Sequence, residues 1–98
     1  MALEIYWSRQ ADKKFDNILE YLELEWGEYN VSIFVKKVYD FLDTLKELPE
    51  IGTIENKDLN IRGFVIIKQL TLFYQIRDEK IILLNFYDNR QKPRKRKY

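Results

Sequence analysis

The sequence predicts an α+β domain: an N-terminal strand, an antiparallel helix hairpin packed on one face of a small sheet, and a C-terminal three-strand antiparallel meander that completes the sheet. Three observations lead to this prediction. Apolar residues recur at helical spacing in two stretches of the first half of the chain. From residue 61 the pattern changes to short runs rich in β-branched and aromatic residues. Short polar links separate these runs, and this spacing is typical of strands joined by hairpins.

The first strand and the first helix are predicted near the N-terminus. Residues 3–7 alternate apolar and polar side chains, which favours a strand. Ser8 follows where a helix N-cap belongs, because its hydroxyl can accept a free amide proton of the first turn. The apolar stripe of this helix comprises Ala11, Phe15, Ile18, Leu19, Leu22 and Trp26. Gly27 is predicted to end the helix as a left-handed cap residue.

A second helix is predicted after a short connection at residues 27–30. Its apolar stripe comprises Val31, Phe34, Val38, Phe41, Leu42, Leu45 and Leu48. Pro49 ends it, since the residue before a proline is disfavoured in the helical conformation. Because the connection is only a few residues long, the two helices are expected to pack as an antiparallel hairpin.

Three strands are predicted in the C-terminal part, at residues 61–67, 70–76 and 80–87, after a loop at residues 49–59 with a little extended structure. These strands are apolar on both faces, whereas a sheet with one helical layer needs only one apolar face. We therefore expect the helices to cover one face and the other face to stay exposed, apolar and rimmed by cations. An exposed apolar sheet face usually marks a binding surface.

The composition limits the class of protein and the kinds of catalysis that the chain can carry out. The 98 residues fit one domain, predicted at residues 1–91 and followed by a basic tail at 92–98. Cysteine and histidine are both absent, which excludes thiolate and imidazole catalysis and leads us to expect neither a bound metal nor a small-molecule cofactor. No apolar run approaches the length of a membrane span, and the N-terminus does not resemble a secretory signal, so a cytoplasmic protein without a membrane partner is expected.

The charges are strongly divided along the chain. Residues 1–60 contain thirteen Asp/Glu and seven Lys/Arg, a net charge of −6, and residues 61–98 contain three and ten, a net charge of +7. A concentrated cationic region attracts polyanions or acidic protein segments, whatever the net charge of the whole chain. This division predicts that function lies in the C-terminal third.

Several short stretches, in this order, resemble a known family. They are residues 5–11 (IYWSRQA), 45–52 with Leu45, Leu48, Pro49 and Gly52, 61–64 (IRGF), 72–76 (LFYQI) and 84–93 (LNFYDNRQKP). Together they resemble the RelE/ParE superfamily of toxins from bacterial type II toxin–antitoxin modules, over nearly the whole chain. The ending at residues 88–91 is more similar to the ParE branch than to the mRNA-cutting branch.

The resemblance implies a small growth-inhibiting toxin that a cognate antitoxin binds and silences, by strand addition or by docking a helix in a groove. ParE-type members poison DNA gyrase, and RelE-type members enter the ribosome and cleave mRNA. The nuclease of this family needs no metal, because the RNA 2′-hydroxyl is the nucleophile. Whether this chain is an enzyme therefore depends on the branch.

Candidate site residues follow from the charge pattern and the family position. The predicted contacts to the target or the antitoxin are Arg62, Lys68, Arg90, Gln91, Lys92, Arg94 and Lys95. If the chain is a nuclease, the candidate catalytic residues are Arg62, Arg77, Arg90 and Tyr98. Each has an ordinary structural alternative: a strand arginine paired with an acid for Arg62, an ion pair within the turn for Arg77, and a solubilising terminus for the tail.

Three functions stay open at this point. The first is a ParE-like toxin that inhibits DNA gyrase by binding, the second a ribosome-dependent mRNA endonuclease, and the third a non-toxic basic domain that binds nucleic acid. The first is preferred because only Arg62, Lys68, Arg77 and Lys80 are cationic between residues 60 and 89, and a flexible tail is a poor base for a preorganised catalytic site.

Overall fold

A computed structural model describes residues 2–89. The elements in chain order are β1 (Glu4–Trp7), α1 (Arg9–Glu47), a 3-10 helix (Pro49–Ile51), β2 (Thr53–Asn56), β3 (Ile61–Ile67), β4 (Leu70–Arg77) and β5 (Lys80–Asp88). No helix in this part of the chain is long and apolar enough to cross a membrane.

The strands form one mixed sheet in the order β1-β5-β4-β3-β2. β1 pairs with β5 in parallel, and every other neighbouring pair is antiparallel. The prediction is corrected in one respect, since the sheet is mixed and not antiparallel throughout. The little extended structure expected in the loop at residues 49–59 is β2. β2 has only four residues, which is too short for a periodicity signal. β1 can pair in parallel with β5 because the helix and three strands separate the two in the chain, whereas a short turn would allow only antiparallel pairing.

The predicted hairpin of two helices is corrected to one bent helical element. The single residue with non-helical angles inside α1 is Gly27, with φ 81° and ψ 165°, so no loop at residues 27–30 separates two helices. A straight helix of 39 residues would be about 58 Å long, whereas the largest extent of the molecule is 38 Å. The two arms therefore fold back at Gly27, and the rings of Phe15 and Phe34, one from each arm, lie 6.2 Å apart.

Both predicted ends of the helical region are confirmed. The Ser8 hydroxyl accepts a hydrogen bond from the amide of Ala11 at 3.0 Å and donates one to the carbonyl of Leu84 at 3.1 Å, so it caps α1 and ties it to β5. The helix ends at Glu47, two residues before Pro49, with Leu48 as its C-cap.

The main core lies between the bent helix and one face of the sheet. Phe15 of the first arm contacts Phe86 of β5 with ring centroids 5.2 Å apart, and Phe41 of the second arm stacks on Phe64 of β3 at 4.3 Å. The buried members of this core from the central strands are Leu70, Leu72, Tyr74, Ile81, Leu83 and Phe86. We call this face of the sheet the helix face and the opposite one the outer face.

The expectation of an exposed outer face is wrong at the centre of the sheet. Thr71 and Phe73 alternate with the core residues of β4 and so belong to the outer face, yet Thr71 is 3% and Phe73 0% exposed. Gly63 lies opposite Phe73 on β3, and a Cβ there would come within 3.0 Å of the Phe73 ring. The ring of Tyr87 meets Phe73 edge-on at 6.5 Å. Apolar side chains remain exposed on the outer face only nearer its margins, as at Tyr6 and Val65.

Candidate functional site

Arg62 is placed on the helix face, opposite Tyr74 of β4. One guanidinium nitrogen donates hydrogen bonds to the carbonyls of Gly52 at 2.8 Å and Glu50 at 3.1 Å. The other terminal nitrogen lies 3.6 Å from the Glu50 carboxylate, and the side chain is 13% exposed. Arg62 therefore anchors the turn at residues 49–52 against β3, through contacts with its backbone.

Tyr74 also holds this turn, through two hydrogen bonds of its hydroxyl. Its hydroxyl donates to the carbonyl of Pro49 at 2.7 Å and accepts from the amide of Gly52 at 2.9 Å. Gly52 lies so close that a Cβ there would come within 2.7 Å of this hydroxyl and 2.9 Å of the Gly63 carbonyl. Burial raises the pKa of Tyr74, while the hydrogen bond from Gly52 and the charge of Arg62 act in the opposite direction.

The other cations between residues 60 and 89 lie apart from Arg62. Arg77 ends β4 in phase with Phe73 and thus belongs to the outer face, and its Nε lies 3.8 Å from the Asp78 carboxylate in the adjoining turn. Lys80 lies over the ring of Tyr6, 5.2 Å from the ring centroid. Lys68 lies in the β3–β4 turn, at the opposite end of β4 from Arg77, which is about 25 Å along an eight-residue strand. Arg77 and Lys80 are opposite each other in the register of β4 and β5, whereas Arg62 and Lys68 lie elsewhere in the described part of the chain.

The described chain ends beside Lys68. The amide of Asn89 donates to the carbonyl of Gln69 at 2.8 Å, and its side chain donates to the carbonyl of Lys68 at 3.2 Å and accepts from the Thr71 hydroxyl at 2.8 Å. These hydrogen bonds hold Asn89, the residue before the basic segment, beside the β3–β4 turn. The predicted site residues in that segment, Arg90, Gln91, Lys92, Arg94, Lys95 and Tyr98, lie outside the described residues.

A cleft of about 390 Å³ next to this end of the sheet was missed in the sequence analysis. Its apolar walls come from the first arm of α1 and from the β3–β4 turn, and its polar margin includes Lys14, Asn17 and Asp88. Trp26, which we assigned to the core, stands at its edge and is 41% exposed. The acidic residues at positions 20–28 could have indicated this cleft, because they predict that Trp26 lies in a solvent-exposed part of the helix.

Arg62, a candidate catalytic residue, has both terminal guanidinium nitrogens engaged with the turn at residues 49–52. A general acid or base must lie within hydrogen-bonding reach of a reacting group that other side chains also approach. Among residues 2–89, no group of three or more acidic residues is placed to hold a metal ion.

The fold has counterparts among solved structures. A chain described as a chromosomal ParDE toxin–antitoxin system from P. aeruginosa superposes with a TM-score of 0.74 at 14% identity, covering 89% of this chain and 96% of that one. A copper-bound mutant toxin from Helicobacter pylori matches with a TM-score of 0.56 at 21% identity, covering 90% and 96%. A conserved hypothetical protein from Helicobacter pylori matches with a TM-score of 0.50 at 17% identity, covering 91% and 97%. At these identities the likeness shows the fold alone.

Sequence comparison identifies the family. A search of curated proteins found no match. A family model described as the ParE toxin of the type II toxin–antitoxin system parDE matches residues 5–93, which is most of the chain and includes the turn at residues 49–52, the three C-terminal strands and the start of the basic segment. The chain therefore belongs to the ParE toxin family of type II toxin–antitoxin systems.

Proposed function

We propose that this protein is a growth-inhibiting toxin that acts by binding DNA gyrase and is neutralised by a cognate antitoxin. The observation that carries the proposal is the match to the ParE toxin model over residues 5–93. The P. aeruginosa relative, described as part of a ParDE toxin–antitoxin system, supports it at the level of the fold.

The dispersal of cations among residues 2–89 supports inhibition by binding over mRNA cleavage. A metal-independent nuclease must activate the RNA hydroxyl, stabilise charge on the phosphorane and protonate the leaving oxygen with side chains held around one phosphate. Arg62 faces the helix side, Arg77 belongs to the outer face, and Lys68 lies at the other end of β4. Such an arrangement suits separate contacts across a protein surface.

We propose that the contact with the target or the antitoxin is centred on Lys68 and on the segment that continues from Asn89 beside it. That segment supplies Arg90, Gln91, Lys92, Arg94 and Lys95. Arg62 contributes indirectly, by holding the turn at residues 49–52. A cationic contact of this kind weakens steeply as salt concentration rises.

Controlled expression in bacteria tests the proposal. The chain is induced alone and together with the gene encoded beside it, and DNA and protein synthesis are followed separately. We expect growth arrest with DNA damage and filamentation while translation continues, and relief when the neighbouring gene is co-expressed. Early loss of translation with mRNA cut in the ribosomal A site would instead establish the RelE-type activity, and growth without a defect would leave a non-toxic domain.

A variant with glutamine at Arg90, Lys92, Arg94 and Lys95 tests the proposed contact. It keeps every residue of the described fold, so a loss of toxicity without a loss of stability is the expected result. The matched control carries glutamine at four cations of α1, Lys13, Lys14, Lys36 and Lys37, and should remain toxic. Equal toxicity of the tail variant and the unaltered chain would contradict this location.

A further inference from the structure

The cleft beside the β3–β4 turn has the size and the lining of a site for a small molecule. Its first part has a volume of about 390 Å³, and a second part of about 470 Å³ adjoins it at Trp26 and Ile67, which line both parts. Sites for small molecules in proteins measure about 300–1,000 Å³ and are lined mainly by apolar side chains. The other apolar walls include Ile18, Leu22, Phe34 and Leu70.

The cleft leaves apolar surface in contact with water. Trp26, in the first arm of α1, and Ile33, in the second arm, are each 41% exposed. Both side chains line the cleft. Removal of apolar surface from water is favourable in proportion to the area that is buried. The cleft is therefore suited to a ligand with an apolar body.

The carbonyls of the β3–β4 turn are already engaged with the end of the described chain. The carbonyl of Gln69 accepts from the amide of Asn89 at 2.8 Å, and the carbonyl of Lys68 accepts from the Asn89 side chain at 3.2 Å. A peptide bound as an added strand depends on hydrogen bonds to main-chain groups of this kind. Recognition in the cleft therefore depends mainly on its side chains.

The charges in and beside the cleft are mainly positive. Lys14 of the first arm lines its first part, and Lys37 of the second arm lines its second part. Lys68 lies in the turn, between two residues that line the cleft. Among the described lining residues the one acid is Asp88. Three cations beside one acid favour an anionic ligand over a cationic one.

The acidic residues of α1 lie near the other end of the cleft. Glu25 and Glu28 flank the bend of α1, beside Trp26. Lys14 precedes Glu25 by eleven residues and Lys37 follows Glu28 by nine, which correspond to about 16 Å and about 14 Å along a helix. An anionic group is therefore most favourable beside the lysines, with the apolar chain of the ligand directed toward Trp26.

We propose that this cleft binds a soluble anionic amphiphile, a molecule with one anionic head group on an unbranched apolar chain of about ten carbon atoms. The head group lies near Lys14 and Lys37, and the chain packs against Trp26 and the apolar walls. Burial of the chain supplies most of the affinity, and the lysines select the sign of the charge. The inference is independent of the proposed action on gyrase, because it rests on the cleft alone.

Binding of decanoate to the full chain tests the proposal, at concentrations below those at which decanoate forms micelles. The chain has two tryptophans, Trp7 and Trp26, so NMR can follow the indole N–H signal of each. We expect the Trp26 signal to shift saturably, with a Kd below about 1 mM, and the Trp7 signal to change little.

Two related ligands separate the contribution of the chain from that of the charge. Octanoate should bind about tenfold more weakly than decanoate, because it buries two fewer CH₂ groups. Decylammonium has an equally long chain and the opposite charge, and it should bind at least about fivefold more weakly than decanoate.

Neighbouring lysines of α1 provide matched variants. Lys14→Gln combined with Lys37→Gln removes the two lysines that line the cleft and should weaken decanoate binding at least about threefold. Lys13→Gln combined with Lys36→Gln makes the same change in charge at exposed positions outside the lining and should leave binding within about 1.5-fold of the unaltered chain. Thermal denaturation of both variants checks that neither change alters the fold.

Four results would overturn the proposal. Decanoate could leave the Trp26 signal unshifted, or decylammonium could bind as tightly as decanoate. The two lysine variants could lose affinity equally, which would mean that the lysines of the cleft have no particular role. Finally, sedimentation could show a dimer that decanoate dissociates, which would make a second copy of the chain the occupant of the cleft.

Discussion

Arg62 holds the turn at residues 49–52 by donating to the carbonyls of Glu50 and Gly52. The sequence predicted a strand arginine at this position but could not reveal its neighbours, because they come from a segment ten to twelve residues away that was expected to be a loop. The candidate site could be predicted from sequence only as a set of cations. Their distribution over two faces and two ends of β4 follows from strand register, which residue types alone do not determine.

We predict that Arg62→Met destabilises the protein by about 1.5–3 kcal/mol, since hydrogen bonds from a charged group are lost and two carbonyls lose their donor. Urea denaturation measures the change. Arg77→Met is the matched control because that side chain is 68% exposed and lies beside Asp78 of the adjoining turn, so we expect a change within about 0.5 kcal/mol. Equal losses in the two variants would contradict the anchoring role of Arg62.

Ionisation of the Tyr74 hydroxyl should lower the free energy of unfolding at alkaline pH. Burial raises its pKa above the ordinary tyrosine value of about 10. The folded protein therefore keeps this proton at a pH at which the unfolded chain has lost it. The resulting contribution to stability is fully present below about pH 10 and is lost as the pH rises through the folded pKa.

The expected result is that the unaltered chain loses stability more steeply than Tyr74→Phe as the pH rises above about 10, because Tyr74→Phe has no hydroxyl to titrate there. At neutral pH, Tyr74→Phe should itself cost about 1–3 kcal/mol, because the Gly52 amide loses its acceptor. Tyr29→Phe removes a hydroxyl from a side chain that is 76% exposed and should follow the unaltered chain. Parallel curves for Tyr74→Phe and the unaltered chain would rule out this titration.

The bend of α1 depends on a single glycine. Gly27 adopts φ 81° and ψ 165°, a region that residues with a Cβ rarely enter. A Cβ at this position would meet no atom within 4 Å, so the requirement is conformational and not steric crowding by neighbours. The sequence indicated a helix end here, but not that helical structure resumes immediately, because the following polar residues are also common in loops.

Gly27→Ala should destabilise the protein by about 1–3 kcal/mol, measured by thermal and urea denaturation. The adjacent substitution Glu28→Ala adds no strained angle and should stay within about 0.5 kcal/mol. If Gly27→Ala were as stable as Glu28→Ala, the bend would not require a positive φ at this residue.

At the level of elements, the sequence predicted the strands that a regular pattern of apolar residues marks. β3 matches its predicted bounds, and β4 and β5 each extend one residue beyond theirs, because alternating β-branched and aromatic residues mark them well. The parallel pairing of β1 with β5 joins residues about eighty positions apart and has no local signal. The bounds of β2 and the close packing of Gly63 against Phe73 likewise depend on which strands become neighbours.

For the molecule as a whole, the acidic and basic parts of the sequence lie at different places in the fold. The acidic stretch at residues 20–28 lies at the bend of α1. The basic segment continues from Asn89, beside the β3–β4 turn.

The central claim is that this ParE-family chain acts by binding DNA gyrase, and supercoiling of relaxed plasmid DNA by purified gyrase tests it most directly. Added toxin should inhibit supercoiling in proportion to its concentration, the tail glutamine variant should inhibit much less, and a ribosomal translation reaction should be unaffected. Undiminished supercoiling at a toxin concentration that cleaves ribosome-bound mRNA would contradict the claim.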